Sequence, residues 1–153
     1  MQPGQGLFLE LSGCVRRYHA PLCRTVYPGY APVAAQEAVE AALAGLAAAR
    51  AALWPGVRTG EVYAAWRRAV GGSPRRHHCG YLVGIGYPPS WVGGPEVLGI
   101  RPGGDVEVRA GMVFHLMSWV ERPVGHVVSD TALVTAAGCE PLTTVARELT
   151  VVP

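Results

Sequence analysis

The chain has 153 residues, half of them hydrophobic and 16% charged, enough to close a single apolar core and incompatible with a disordered segment. Its formal net charge is only +2, and the 13 basic residues are all arginine, scattered except for pairs such as Arg16-Arg17, Arg67-Arg68 and Arg75-Arg76, which is no nucleic-acid footprint. No apolar run approaches the roughly 20 residues that span a bilayer, and Cys14, Cys23, Cys79 and Cys139 form no C-x-x-C pair, so the expectation is a reduced, cytoplasmic single domain with neither membrane nor nucleic acid as partner.

From Leu7 to Tyr27, short apolar runs broken at Ser12-Gly13 and ended by Pro28-Gly29 predict two strands joined by a turn. Pro32 then opens an Ala-rich stretch in which Val39, Leu43, Leu46 and Leu53 recur at helical spacing until Trp54-Pro55-Gly56. A second, shorter helix follows, with Thr59 as N-cap, Val62, Ala65, Trp66 and Ala69 as its apolar stripe, and Gly71-Gly72 as its stop. Strands are expected near 80–87, 97–101, 112–118, 126–135 and 142–149, separated by Gly and Pro turns. A hairpin, two helices and a run of strands is an α+β order, with the helices on one face of a curved antiparallel sheet. No repeat, heptad or low-complexity linker interrupts it.

Several segments stand out as words. Glu10-Leu11-Ser12-Gly13, Tyr18-His19-Ala20-Pro21 and Arg24-Thr25 form the first, and Trp54-Pro55-Gly56-Val57 with Glu61-Val62 the second. Gly80-Tyr81-Leu82-Val83-Gly84 running into Pro88-Pro89-Ser90-Trp91 is the third, followed by Ile100-Arg101-Pro102-Gly103, Gly111-Met112-Val113-Phe114-His115-Leu116 and Ser129-Asp130-Thr131. In this order they resemble the creatinase and Xaa-Pro peptidase superfamily, which has the pita-bread fold, and most closely its ectoine-hydrolase-like branch.

The resemblance implies a catalytic domain of two pseudo-symmetric halves, of which residues 1–30 match a hairpin of the first half and residues 31–153 the second. A truncated pita-bread domain over 1–153 is therefore expected, its pocket completed by a second copy in a homodimer or by a separate chain in a heteromer. Peptidases of the superfamily hold two metal ions on Asp, Asp, His, Glu and Glu. The matching positions here carry Glu10, Pro21, Cys79, Met117 and Ser129. Hard divalent cations want carboxylate oxygens, which Pro21 and Met117 cannot offer, so no metal and no other cofactor is expected. Creatinase-like relatives work without metal, through histidines and carboxylates on a C–N bond.

Within that frame His115 alternates with apolar neighbours, and is either a pocket acid/base or a satisfied sheet histidine. His19 also matches the branch, with a turn histidine as the structural alternative. Glu10, in the place of a family aspartate, is a base or substrate-orienting group, or else a salt-bridge partner of Arg24. His77-His78-Cys79 invites a metal, but adjacent side chains of an extended segment point to opposite faces; His126 is read as structural. Tyr18, Arg24, Tyr81, Tyr87, Trp91, Glu96 and Asp130 are the expected substrate-binding set. Ectoine-hydrolase-like proteins carry a Glu just after the tryptophan, and in this chain that carboxylate is missing or displaced to Glu96. The expected function is a metal-independent enzyme acting on a C–N bond of a small amino-acid-derived or cyclic amidine substrate, hydrolytic or in biosynthetic ring chemistry. The alternative is a non-catalytic subunit or a small-ligand-binding protein of the same family.

Overall fold

The computed structural model describes residues 2–71, 77–87, 89–92 and 97–153. Arg75-Arg76, Gly72, Pro88 and Glu96 lie outside the described residues. The elements in chain order are β1 (Leu7–Val15), β2 (Tyr18–Pro28), α1 (Ala35–Ala52), α2 (Thr59–Val70), β3 (Gly80–Val83), β4 (Val113–Val120), β5 (His126–Thr135), β6 (Gly138–Pro141) and β7 (Thr150–Val152). They form an α+β fold around one 7-stranded sheet with the order β1-β2-β5-β4-β3, β6 pairing with β5 and β7 with β2.

The helices lie on one sheet face because both sides present apolar residues at the matching period. Ala42, Leu46, Ala49 and Leu53, at or just beyond α1, and Val62 and Trp66 of α2 pack with Phe114 and Leu116 of β4 and with Val128, Ala132 and Val134 of β5 in one buried cluster. Strand side chains alternate between faces, so His115 and Met117 of β4 and Ser129 of β5 are turned away from the helices. Gly45 lets α1 approach: a Cβ there would stand 2.3 Å from Val70 Cγ1 and 2.5 Å from Ser118 Oγ.

Four local expectations are corrected, the first being the strand near 97–101, where only an isolated bridge of Gly99 to Tyr81 forms. The β1–β2 turn falls at Arg16-Arg17, with φ of 50° and 71°, and not at Ser12-Gly13, which continues β1 opposite Pro21 and Ala20. Thr59 begins α2 but does not cap it; Arg58 occupies the cap, and its backbone N–H donates to the Glu61 carboxylate at 2.9 Å. Residues 142–149 form no strand, because their carbonyls turn inward: Val145 and Ala146 both accept from the Arg24 guanidinium, at 2.7 Å each. The sheet is antiparallel except where β7 runs parallel to β2.

Candidate functional site

The sheet register brings together residues distant in sequence. Glu10 on β1 faces Cys23 on β2, Cys23 faces Ser129 on β5, and Ser129 faces Met117 on β4. Directly opposed residues share a sheet face, so this row lies on the face turned from the helices. Two residues along β4, on the same face, His115 is paired with Tyr81 of β3. Five strands thus contribute to one patch.

A continuous hydrogen-bonded chain runs through it. The Cys23 backbone N–H donates to Ser129 Oγ at 2.7 Å, Ser129 Oγ lies 2.5 Å from His115 Nε2, and His115 Nδ1 lies 2.9 Å from Tyr81 Oη. The indole N–H of Trp91 closes the chain by donating to Tyr81 Oη at 3.0 Å. Glu10 stands beside it, Oε1 3.9 Å from His115 Nδ1 and buried without a hydrogen-bond partner. His19 sits further along β2, with Nδ1 3.5 Å from Ser12 Oγ and a buried, unpartnered Nε2.

Burial sets the electrostatics of the patch. His115 is fully buried, and desolvation followed by the neighbouring His78 lowers its pKa to about 3, so the imidazole is neutral at physiological pH. Burial raises the Glu10 carboxyl and the Tyr81 hydroxyl above their ordinary values. The Cys23 thiol is pushed up to about 12, mainly by burial, and is no nucleophile at neutral pH.

A cavity of about 630 Å³ adjoins the patch, walled by His77, His78, Tyr81, Trp91, Val97 and Arg101 among others. Tyr81 and Trp91 belong to both the cavity wall and the hydrogen-bonded chain.

The structure brings Glu10, His115, Tyr81 and Trp91 into one group and leaves other expected residues apart. Arg24 and Asp130 each follow, in sequence, a residue of the Cys23–Ser129 pair and so emerge on the opposite face. There Asp130 is fully buried and bridges Arg24 at 3.0 Å, Arg147 at 2.5 Å and the Thr143 hydroxyl at 2.9 Å. Arg24 therefore pairs with Asp130 and not with Glu10. Tyr18 and Tyr87 are mostly exposed, Tyr87 lying under the Arg17 guanidinium. Cys79 packs in the apolar cluster on the helix side, so Tyr81 is the residue of that segment that meets His115. His126, buried, contacts the Tyr27 hydroxyl at 3.2 Å. Among the described residues no group of three His, Cys, Asp or Glu side chains is placed to hold a metal ion.

Sequence reasoning missed Ser129 as a live hydrogen-bonding group, and His77, His78 and Arg101 as cavity walls. Parity along β4 and β5 was the one available signal for Ser129, since it repeats the facing of His115.

The chain has known relatives. A model of metallopeptidase family M24 matches residues 1–136. The chain is 37% identical over 151 residues to the ectoine hydrolase of Halomonas elongata, covering 95% of this chain and 37% of that protein. It is 36% identical over 147 residues to an uncharacterized hydrolase/peptidase of Sinorhizobium fredii, covering 94% of this chain and 37% of that one. The dipeptidase PepE of Mycobacterium ulcerans superimposes over 100% of this chain and 41% of its own with a TM-score of 0.83 at 24% identity, a likeness of fold. The chain thus spans well under half the length of these proteins, and its curled sheet with two helices is the matching portion of the pita-bread fold. With a family model covering most of its length, the chain belongs to metallopeptidase family M24.

Proposed function

We propose that this chain carries the reacting face of an enzyme that works without a bound metal ion on a C–N bond of a small amino-acid-derived or cyclic amidine substrate, by hydrolysis or in biosynthetic ring chemistry. The observation behind this reading is the Tyr81–His115–Ser129 chain, with Glu10 beside it, whose Tyr81 end lines a 630 Å³ cavity. The likeness to a protein named ectoine hydrolase supports the substrate class.

The family's name implies metal, but the donor set does not fit it. Glu10 is a single carboxylate, the Ser129 hydroxyl already accepts the Cys23 N–H and meets His115, and Met117 offers a thioether. Pro21 offers no side-chain donor, and burial drives the Cys79 thiol far above its ordinary value, away from the thiolate a metal would need. Two hard cations held by oxygen ligands do not match such a set. The proposed chemistry uses side chains alone: the neutral imidazole of His115, the Tyr81 hydroxyl and the Glu10 carboxyl hold and move protons, and His19 with Ser12 orients the substrate.

The test is turnover of a panel of cyclic amidines and N-acyl amino acids by protein stripped with chelator, read by mass spectrometry. Product formation unaffected by chelator or by added Mn²⁺ is expected, falling about 100-fold or more in His115→Ala. Turnover that appears only with added metal overturns the reading. The complete burial of His115 favours a second reading, ligand binding without catalysis; binding with no turnover in any condition would establish it.

The proposal includes a second copy of this chain. Among the described residues β1 has a neighbour on one side only, its Leu9, Leu11 and Val15 are exposed, and it carries Glu10 of the site. An antiparallel β1–β1 contact is self-complementary and would cover this edge.

A further inference from the structure

We propose that the Tyr81 hydroxyl is the group that touches a ligand in the cavity, its proton directed outward as a hydrogen-bond donor, and that Ser129 and His115 are positioning residues that hold it so. This rests on the reading of this face as the reacting one.

Proton counting carries the inference. The chain from Cys23 to Trp91 ends in two groups that only donate, the Cys23 backbone N–H and the Trp91 indole N–H. Between them stand Ser129, neutral His115 and Tyr81, with one exchangeable proton each and two gaps to fill. One proton must therefore point out of the chain, and only two arrangements exist.

In the first, Tyr81 donates to Nδ1 and Nε2–H donates to Ser129, which strands the Ser129 proton. Ser129 is fully buried, and among the described residues its hydroxyl has no further partner, so this strands a donor at a cost of about 1–3 kcal/mol. In the second, Ser129 donates to Nε2 and Nδ1–H donates to Tyr81 Oη. The leftover proton is then on Tyr81, a residue of the cavity wall, and is free to turn toward an acceptor there. The second arrangement strands no donor inside the buried chain and is therefore favoured. His115 itself is fully buried and does not line the cavity.

A donor held at a fixed place in a largely apolar site suits a carbonyl oxygen, and more strongly the oxyanion that forms from it. Arg101 on the same wall suits a carboxylate. The ligand class is thus a small cyclic amide bearing a carboxylate.

Nitrogen-15 NMR of the uniformly labelled full chain reads the tautomer directly. The Nδ1–H form of His115 is expected, and the Nε2–H form overturns the proposal. Calorimetry with 5-oxoproline and with proline, which lacks the ring carbonyl, reads the outward donor. About tenfold tighter binding of 5-oxoproline is expected in the native chain. Tyr81→Phe should erase that preference while leaving proline binding unchanged, and Ser129→Ala should shrink it with Tyr81 still present. No preference in the native chain, or a preference that survives in Tyr81→Phe, overturns the proposal. None of these measurements depends on turnover: an Nε2–H tautomer in an active protein sinks only this inference, and an Nδ1–H tautomer in an inactive one sinks only the proposed enzyme.

Discussion

Asp130 shows how one buried side chain can organise strands and a coil at once. It has no exposure, and its two oxygens hold Arg24 of β2, Arg147 and Thr143. Arg24 in turn binds the carbonyls of Cys23, Ser129, Val145 and Ala146, so this ion pair fastens residues 142–149 against the sheet. Asp130→Ala leaves two guanidinium groups without their carboxylate, and a loss of about 3–5 kcal/mol is expected from urea unfolding. A loss under 1 kcal/mol would show that the arginines find water or other carbonyls at little cost. The histidines make a second residue-scale case. Burial lowers His115 to about 3 and His126 to about 4, below the ordinary 6.5. Between pH 6.5 and those values the unfolded chain binds protons that the folded one does not, so stability is lost as pH falls, by up to about 1.4 kcal/mol per pH unit for each histidine. Glu10, raised by burial, acts in the opposite sense, losing stability as pH rises through its window. Comparing His126→Gln with the native chain separates the two: urea midpoints between pH 7 and pH 5 should fall less in the variant. An unchanged slope would contradict the burial argument for His126.

At the scale of elements, α1 is held by closeness and not by an apolar stripe of large residues. Its buried positions are mostly alanine, with Gly45 against Val70 and Ser118. Gly45→Ala should gain about 1 kcal/mol of helix propensity. The added methyl, however, collides with a stiff β-branched side chain and with the hydroxyl that accepts the Trp66 indole N–H at 3.0 Å. Overpacking of this kind costs about 1–3 kcal/mol, so a net fall in melting temperature is expected, and a rise would mean that α1 can shift away from β4. Helix existence was legible because Val39, Leu46 and Leu53 recur at the helical period and Trp54-Pro55-Gly56 stops it. The β1–β2 turn was not. Gly13 looked like punctuation, yet it lies in the outer strand, where a Cβ would meet nothing within 4 Å, while the true turn uses two arginines at positive φ, a conformation that residue type alone does not announce.

For the whole molecule, the open edge at β1 is the feature with the largest consequence. Edge strands with exposed apolar residues invite pairing, and the proposed homodimer predicts twice the chain mass by light scattering at micromolar concentration. A monomer across that range would contradict it, and pairing only with a different polypeptide would point to the heteromer. No described helix is long and apolar enough to cross a membrane.

By itself, the sequence determined the α+β order, because periodicity and punctuation are local properties of the chain, and its motif words carried the resemblance to the family. It also marked His115 and Glu10. Only the tertiary structure decided which neighbours they meet. Arg24 and Asp130 were expected with the substrate, yet the pairing of Cys23 with Ser129 turns both to the opposite face. Tyr81 rather than Cys79 reaches His115 because Tyr81 pairs with it across the sheet, while Cys79 precedes β3 and packs in the apolar cluster; such pairings join residues far apart in sequence, and a register shift of one residue exchanges the two faces of a strand.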